Sequence, residues 1–400
     1  MAHVRSRYLK QKLVKMLKFS PIVGVLGHRQ VGKTTLISSI AHEYKTLDLL
    51  KTLRIAQLDP EAFIESAKKH PFAIDEAQLC PEIFSALKER VRLNKQPGQF
   101  ILSGSVRFTS KKSIRESLTG RIINLELLPF SLSELQEHEI NKAPISLITQ
   151  DFSQFLGKLT AKAVKKKHEQ LIAYGKTGGL PGVCFVRDDE IRANQIESYL
   201  ETILDRDLRI IYDTKLRYGV LRSLLAYFAN KQGEPINLSE ASRRIRISIP
   251  TIRLLISAFE SLFLIRVIPA IGGEKAPIIF LEDQGEATYL KESSDDPHHH
   301  WLRILYANIR VPFALTSDLK SQFFQYRSRG GAFIPLAVKT THGTLGFAIS
   351  VEKNPNEAVI RSSISFIKKF KGSRVIILTP FAQNECYSKS ILITSFAELL

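Results

Sequence analysis

Cysteine is scarce in this chain. Cys80, Cys184 and Cys386 are the three present in 400 residues, and they are odd in number, far apart and not in a metal-ligand spacing. That argues against a disulfide-built secreted domain or a cysteine-rich metal module and suits a reducing cytoplasm. Long hydrophobic runs are missing as well. No stretch approaches the roughly 18 apolar residues of a membrane-spanning helix, and the basic N-terminus lacks the apolar core of a signal peptide. No internal repeat or low-complexity tract stands out. Acid is the charge in deficit: 39 Asp and Glu face 57 Lys and Arg, a formal net charge of +18. Such an excess favours a polyanionic partner, nucleic acid or an acidic membrane face. A solvated surface kept soluble by its charge is the plain alternative.

What is there supports two or three domains, because 400 residues exceed one ordinary domain and 44% hydrophobic residues can build a core in each. The first sharp signal is an apolar run, Ile22 to Leu26, followed by Gly27-His28-Arg29-Gln30-Val31-Gly32-Lys33-Thr34-Thr35. Strand, glycine-rich turn and helix in that order fit a phosphate-binding loop. Gly27 and Gly32 let the backbone curl its N–H groups inward, with Gln30, Val31 and Thr35 completing the cradle. Lys33 carries charge to the β- and γ-phosphates, and the Thr34 hydroxyl suits Mg²⁺. The expected cofactors are therefore ATP and Mg²⁺.

A second apolar run, Pro71 to Ile74, delivers Asp75 and Glu76 at its C-terminal end, where ligands sit in open α/β sheets. One acid suits the metal and the other the attacking water: Asp75 as the Mg²⁺ carboxylate, Glu76 as the base. Taken alone, the pair also fits a surface strand end. A third run ends in Ser103-Gly-Ser105. Ser103 or Ser105 then senses the γ-phosphate or positions water, or simply makes a turn. Arg121, just before the apolar run 122–128, reads equally as an arginine finger in its own or a neighbouring subunit, or as half of a structural salt bridge.

These segments, with SLTGRIINLELLPFSLSEL at 117–135, GGLP at 178–181 and YLETILDRDLR at 199–209, resemble the prokaryotic AAA-superfamily ATPases that carry a C-terminal endonuclease-like domain. The resemblance covers roughly residues 8 to 350. His28 stands where those proteins usually have proline. The resemblance implies an α/β fold with a P-loop AAA-type parallel-sheet core, a helical lid, a winged helix and a restriction-endonuclease-like C-terminal domain, divided at 1–135, 136–212, 213–285 and 286–400. It also implies that Gly179 and Pro181 touch the adenine or ribose; a rigid loop turn is the other reading.

In the middle, Asn237 to Arg246 begins with a capping pattern, 247–250 is a break, and 251–263 is apolar-periodic: a helix-turn-helix layout. Arg243, Arg244, Arg246 and Arg253 cluster there. They suit a DNA backbone, or an inter-domain surface with solvated arginines. Near the C-terminus, the family's nuclease strands would carry an acid and then a Glu-x-Lys pair. This chain has Phe333 and Pro335 in the first place and Ser350 and Glu352 in the second, with Glu352-Lys353 one residue out of step. The expectation is a retained fold without nuclease activity. His298 to His300 beside Asp295 and Asp296 reads as a solvated loop, and Trp301 as a helix-packing residue. No membrane partner is expected; a homo-oligomer is possible if Arg121 works in trans.

Overall fold

The computed structural model describes residues 5–108, 118–156, 159–272, 276–292, 296–316 and 320–400. Ser117 and Asp295, both quoted above, lie outside these residues. The chain is α/β. Five strands come first: β1 (Ile22–Leu26), β2 (Glu43–Thr46), β3 (Phe72–Asp75), β4 (Phe100–Gly104) and β5 (Ile122–Glu126). They form a sheet in the order β2-β3-β4-β1-β5, with every pairing parallel. Parallel sheets are covered on both faces, which is why β1, β3 and β4 read as unbroken apolar runs. Their side chains still alternate. Val23, Val25, Ala73 and Ile101 face one core, while Ile22, Leu26, Phe72, Ile74, Phe100 and Leu102 face another.

One short sheet and one large one follow. β6 (Ile265–Ile268) and β8 (Ile278–Leu281) pair antiparallel. β7 (Ala270–Gly272) instead joins a larger sheet with β9 (Gln322–Arg327), β10 (Phe333–Lys339), β11 (Thr344–Ile349), β12 (Arg374–Thr379), β13 (Asn384–Ser388) and β14 (Ile391–Ser395). Its order is β13-β14-β12-β11-β10-β9-β7. Here too alternation serves two faces. Leu336, Val338, Leu345, Phe347, Ile376 and Leu378 enter one core, and Ile334, Ala337, Ala348, Val375 and Ile377 the other. Ile334 and Ala337 share a face although three positions apart, because the ladder slips between them. Pro335 sits in that slip, where its missing N–H does least harm to a strand paired on both sides.

The structure divides the chain differently from the expected 136–212 lid and 286–400 domain. Phe152, Phe155, Leu171 and Tyr174 pack in the core of the seven-stranded sheet, whereas Leu180, Val183, Ile196, Leu200 and Leu204 pack in the core of β1. The single lid is thus two docked halves that part near Gly178. The boundary at 285 is also crossed, because Ala270–Gly272 is an edge strand of the C-terminal sheet. Apolar burial, not chain order, decides both. The β6–β8 pair is the wedge between the cores: Ile265, Ile279 and Leu281 face the first, Ile268, Ile278 and Phe280 the second.

Charge ties the same junction. Glu282 receives Arg266 Nε at 2.8 Å and Arg310 Nη1 at 3.0 Å, and Arg266 also pairs with Glu126 on β5. Two of the helices in the middle are Leu238–Ile245, capped by the Asn237 side chain, and Ile249–Ser261, capped by Ser248. The second starts before the expected 251, because Pro250 stands in its first turn, where a proline costs no hydrogen bond. Arg246 ends the first helix in a left-handed conformation. His298 to His300 are not a solvated loop. They are half-buried in the first turn of helix Pro297–Leu315, capped by Asp296. Trp301 packs as expected, stacked on Phe396 at 4.4 Å.

Candidate nucleotide site

β1 is flanked by β4 and β5, so the order reverses around it, and its C-terminal end opens on the crevice where ligands bind in such sheets. The turn that leaves it is built for close approach. A Cβ on Gly27 would stand 2.4 Å from the Leu127 carbonyl oxygen, so a side chain there would push β5 away. Gln30 (φ 65) and Gly32 (φ 94) are left-handed and curl the loop back on itself. Val31 is fully buried, and Arg7 Nη1 donates to its carbonyl at 2.8 Å. Thr34 and Thr35 are exposed at the start of helix Lys33–Ser38.

Lys33 is buried, and its ammonium donates to the carbonyls of Gly27 and His28, both at 3.1 Å. Burial pushes its pKa down, while Glu76 and Asp75 favour the charged form. Thr34 Oγ1 donates to Asp75 Oδ2 at 2.6 Å, and Tyr44 donates to the same oxygen at 2.8 Å. Ser103 donates to Asp75 Oδ1. Glu76 follows in a left-handed conformation (φ 54), an uncommon backbone for a residue other than glycine. Ser105 Oγ donates to Glu76 Oε2 at 3.1 Å, and Gln78 Nε2 reaches the same oxygen. The two serines therefore divide the two acids between them.

Sequence reasoning did not single out Tyr44, Gln78, Arg7 or the partners of His28. Gln78 stands inside the quoted FAIDEAQL run, so its closeness to Glu76 was available. Tyr44 lies on edge strand β2, with no local signal. His28 is fully buried, and its Nε2 stands 3.2 Å from Glu286 Oε2 on helix Gln284–Leu290. Burial works against the charged ring, but Glu286 overrides it and raises the pKa above the ordinary value. Asp283 caps that helix and also accepts the Gly179 N–H at 2.6 Å. Burial, then Glu286, pushes the Asp283 carboxyl up to about 6.

The other expected residues fall as follows. Gly179 is buried: its N–H is taken by Asp283, its carbonyl by Phe130 N, and a Cβ would meet the Phe130 oxygen at 2.2 Å. Pro181 lies 3.6 Å from where a Cβ on Gly32 would be, so the GGLP segment adjoins the phosphate loop. Arg121 does not join the site within one chain. β5 runs parallel to β1 with Ile22 opposite Ile122 and Leu26 opposite Glu126, which puts Arg121 at the end of the strands away from the loop. Arg243, Arg244, Arg246 and Arg253 are exposed on the helix pair, and Arg244 meets Glu292 at 2.7 Å.

The donor set fits Mg²⁺. A hydroxyl and a carboxylate are hard oxygen ligands, and Mg²⁺ commonly takes one or two carboxylates, with phosphate oxygens and waters filling the rest. No helix among the described residues is long and apolar enough to cross a membrane.

Residues 19–136 match a family model described as an AAA domain, and residues 168–281 match one described as a domain of unknown function (DUF8612). Neither model spans half of the chain, so each says what that part of the chain is similar to. Uncharacterized proteins of Mycobacterium bovis and Mycobacterium tuberculosis are each 22% identical over 290 residues, 70% of this chain. The chain matches 58% of the length of these relatives. Among solved structures, the Walker-type ATPase of Pyrococcus abyssi has a TM-score of 0.41 at 14% identity, covering 72% of this chain and 96% of that one. A signal-transduction ATPase with a tetratricopeptide-repeat sensor from Pyrococcus horikoshii has a TM-score of 0.26 at 13% identity, over 78% of this chain and 46% of that one.

Proposed function

We propose that this chain is a Mg²⁺-dependent ATP-hydrolysing switch whose nucleotide state governs what its C-terminal half binds. The observation that carries the reading is the convergence of Lys33, the Thr34–Asp75 pair at 2.6 Å and the serine-held Glu76 at one end of β1, β3 and β4. The loop backbone and Lys33 hold the phosphates. Thr34 and Asp75 would hold Mg²⁺, which would supply charge neutralisation for the phosphates. Glu76, fixed by Ser105 and Gln78, orients a water and takes its proton. The water oxygen bonds to the γ-phosphorus as the bond from that phosphorus to the bridging oxygen breaks, leaving ADP and phosphate. Asp75 is held by Ser103 and Tyr44, which would keep it in place for the metal.

Coupling has a physical route in this reading. His28 and Lys33 belong to one loop, and His28 reaches Glu286 beside the Gly179–Asp283 contact. A change in the loop therefore reaches the junction of the two cores. The exposed arginines 243, 244, 246 and 253 make DNA the favoured output partner. Binding there would weaken steeply with salt. Phosphate release by wild type and Glu76→Gln, with and without duplex DNA, tests the reading. The expected result is turnover by wild type and a fall of about 10²- to 10⁴-fold in Glu76→Gln, with binding of an ATP analogue retained. Wild type that binds no ATP analogue would falsify it.

A further inference from the structure

The C-terminal half holds a cavity that the nucleotide site does not use. It measures about 460 Å³, within the range of small-molecule pockets. It opens where β10 slips against β9, between Ile334 and Ala337. Phe333 and Pro335 form one wall with Ala348 and Ile349 of β11. They stand where the family resemblance expects nuclease acids. Two helix starts form the other wall. His298, His299 and Leu302 come from helix Pro297–Leu315, and Asn356, Ala358 and Ser362 from the start of helix Glu357–Lys369. Contacts outside the cavity fix both helices. Trp301 stacks on Phe396, and Ser362 Oγ accepts the Phe333 N–H at 3.2 Å.

The polar groups of the helical wall offer hydrogen bonds of a definite kind. His299 Nδ1 stands 3.6 Å from Glu234 Oε1. Burial lowers the pKa of this ring, and His298 and Lys291 also oppose its charge, against Glu234 and Asp296. The ring is therefore neutral at pH 7. With its Nδ1–H turned to Glu234, it keeps an acceptor lone pair on Nε2. Asn356 spends its oxygen on the Val359 N–H at 3.1 Å, and Ser362 accepts from Phe333, so each has a donor left to offer. Asp296 is the one charged side chain among the described residues that line the cavity, and its Oδ1 already caps His298 at 2.8 Å. Arg327 stands over the Phe333 ring, 5.7 Å from its centre. Charges of both signs thus flank the space.

We propose that this cavity binds an uncharged planar heterocycle with a hydrogen-bond acceptor on one edge and a donor on another, the class of the small azoles and the nucleobases. Its faces lie against Phe333, Pro335 and Leu302. Its acceptor meets Asn356 or Ser362, and its donor meets His299. A charged ligand is disfavoured in either sign. An anion would lose water to meet Asp296, and a cation would lose it to meet Arg327 across the Phe333 ring. Where the resemblance expects acids that hold a metal, this chain has an aromatic ring and a proline that hold a flat apolar surface. The site stands on the second sheet and does not depend on the ATPase reading.

The test uses indazole as the probe, an uncharged ring with one donor and one acceptor, on the full chain at neutral pH. Its Kd should be on the order of 1 mM or tighter, read by ligand-observed NMR or calorimetry. Indene has the same shape without the hydrogen bonds and should bind about fivefold more weakly. The aminomethyl and carboxylate derivatives of indazole should each bind about tenfold more weakly. Ala358 is exposed at its helix start, so Ala358→Trp fills the space without crowding a core. It should remove indazole binding and leave the melting temperature unchanged. His299→Phe keeps the wall and deletes the acceptor. Indazole should then weaken about fivefold, with indene unaffected. Indazole binding that survives Ala358→Trp places the probe elsewhere and overturns the site. Tightest binding by either charged derivative overturns the ligand class. So does equal affinity for indazole and indene in wild type. No indazole binding even tenfold above the expected Kd overturns both.

Discussion

The two large sheets are built alike and finished differently. Both have parallel strands at their centre, β1 beside β4 and β11 beside β12, and both bury alternate side chains on two faces. At the strand ends of the first, Lys33, Thr34, Asp75, Glu76, Ser103 and Ser105 converge, with each acid held by a hydroxyl. Beside the second lies a cavity of about 460 Å³ lined by Phe333, Pro335, Ala348, His298, His299 and Asn356. A scaffold of this kind fixes where a site can sit, and the residues at the strand ends decide what that site does.

The largest effect that would sharpen this contrast is at Lys33. Its ammonium is buried among carbonyls, so Lys33→Ala deletes the loop's own charge and leaves Asp75 and Glu76 facing the site without it. ATP-analogue affinity should fall on the order of 100-fold, read by calorimetry or by a labelled nucleotide. A variant that binds as wild type would mean the first sheet's cluster is no more a phosphate site than the second's.

Much of the first site could be read from sequence because it is local. β1, β3 and β4 are apolar runs ended by the very residues that matter, and the loop spans eight positions from Gly27 to Thr34. What could not be read is what crosses the chain. Arg29 and Asp207 pair across 178 positions of chain, and nothing local in either marks the other. Ala270–Gly272 is too short to betray its sheet. Two readings could be narrowed from the sequence alone. Arg121 precedes its strand, and in a parallel sheet the start of a strand is the edge away from the ligand. His298 to His300 looked like a loop because they are polar, yet Asp296 and Pro297 are a helix cap and a first-turn proline.

A middle-sized effect belongs to the pair that joins the first site to the rest. His28 and Glu286 are buried to within 1% and 3.2 Å apart, so Glu286→Gln strands a partner and should cost about 3 kcal/mol or more near pH 6. The pH dependence has a definite sign. The folded pKa of His28 is raised above its ordinary value of about 6.5. The pair's contribution is then fully present below that ordinary value and is lost as the pH rises through the folded one. Asp283, pushed up from its ordinary value to about 6, costs stability as the pH rises toward that point and adds no further change above it, so melting is best compared from pH 7 upward. Wild type should approach Glu286→Gln as the pH rises. A gap between them that stays constant to pH 10 would show that the pair is not ionised, and that charge does not link the loop to the second core.

The smallest expected effect is at the end of β11, and it is the one that could break the comparison. Ser350 is buried and donates to the Glu352 carbonyl at 3.0 Å, and Thr379 donates to the same oxygen at 3.2 Å. What the fold uses of Glu352 is its backbone; its side chain is exposed. A nuclease carboxylate needs a second acid across the metal, and the facing strand offers Phe333 and Pro335. Glu352→Ala should therefore leave a plasmid incubation in Mg²⁺ or Mn²⁺ looking like wild type, with neither nicking the DNA. Metal-dependent nicking that Glu352→Ala abolishes would show that the second sheet finds its acids elsewhere. The first sheet would then hold one of two catalytic sites, with ATP turnover controlling the other.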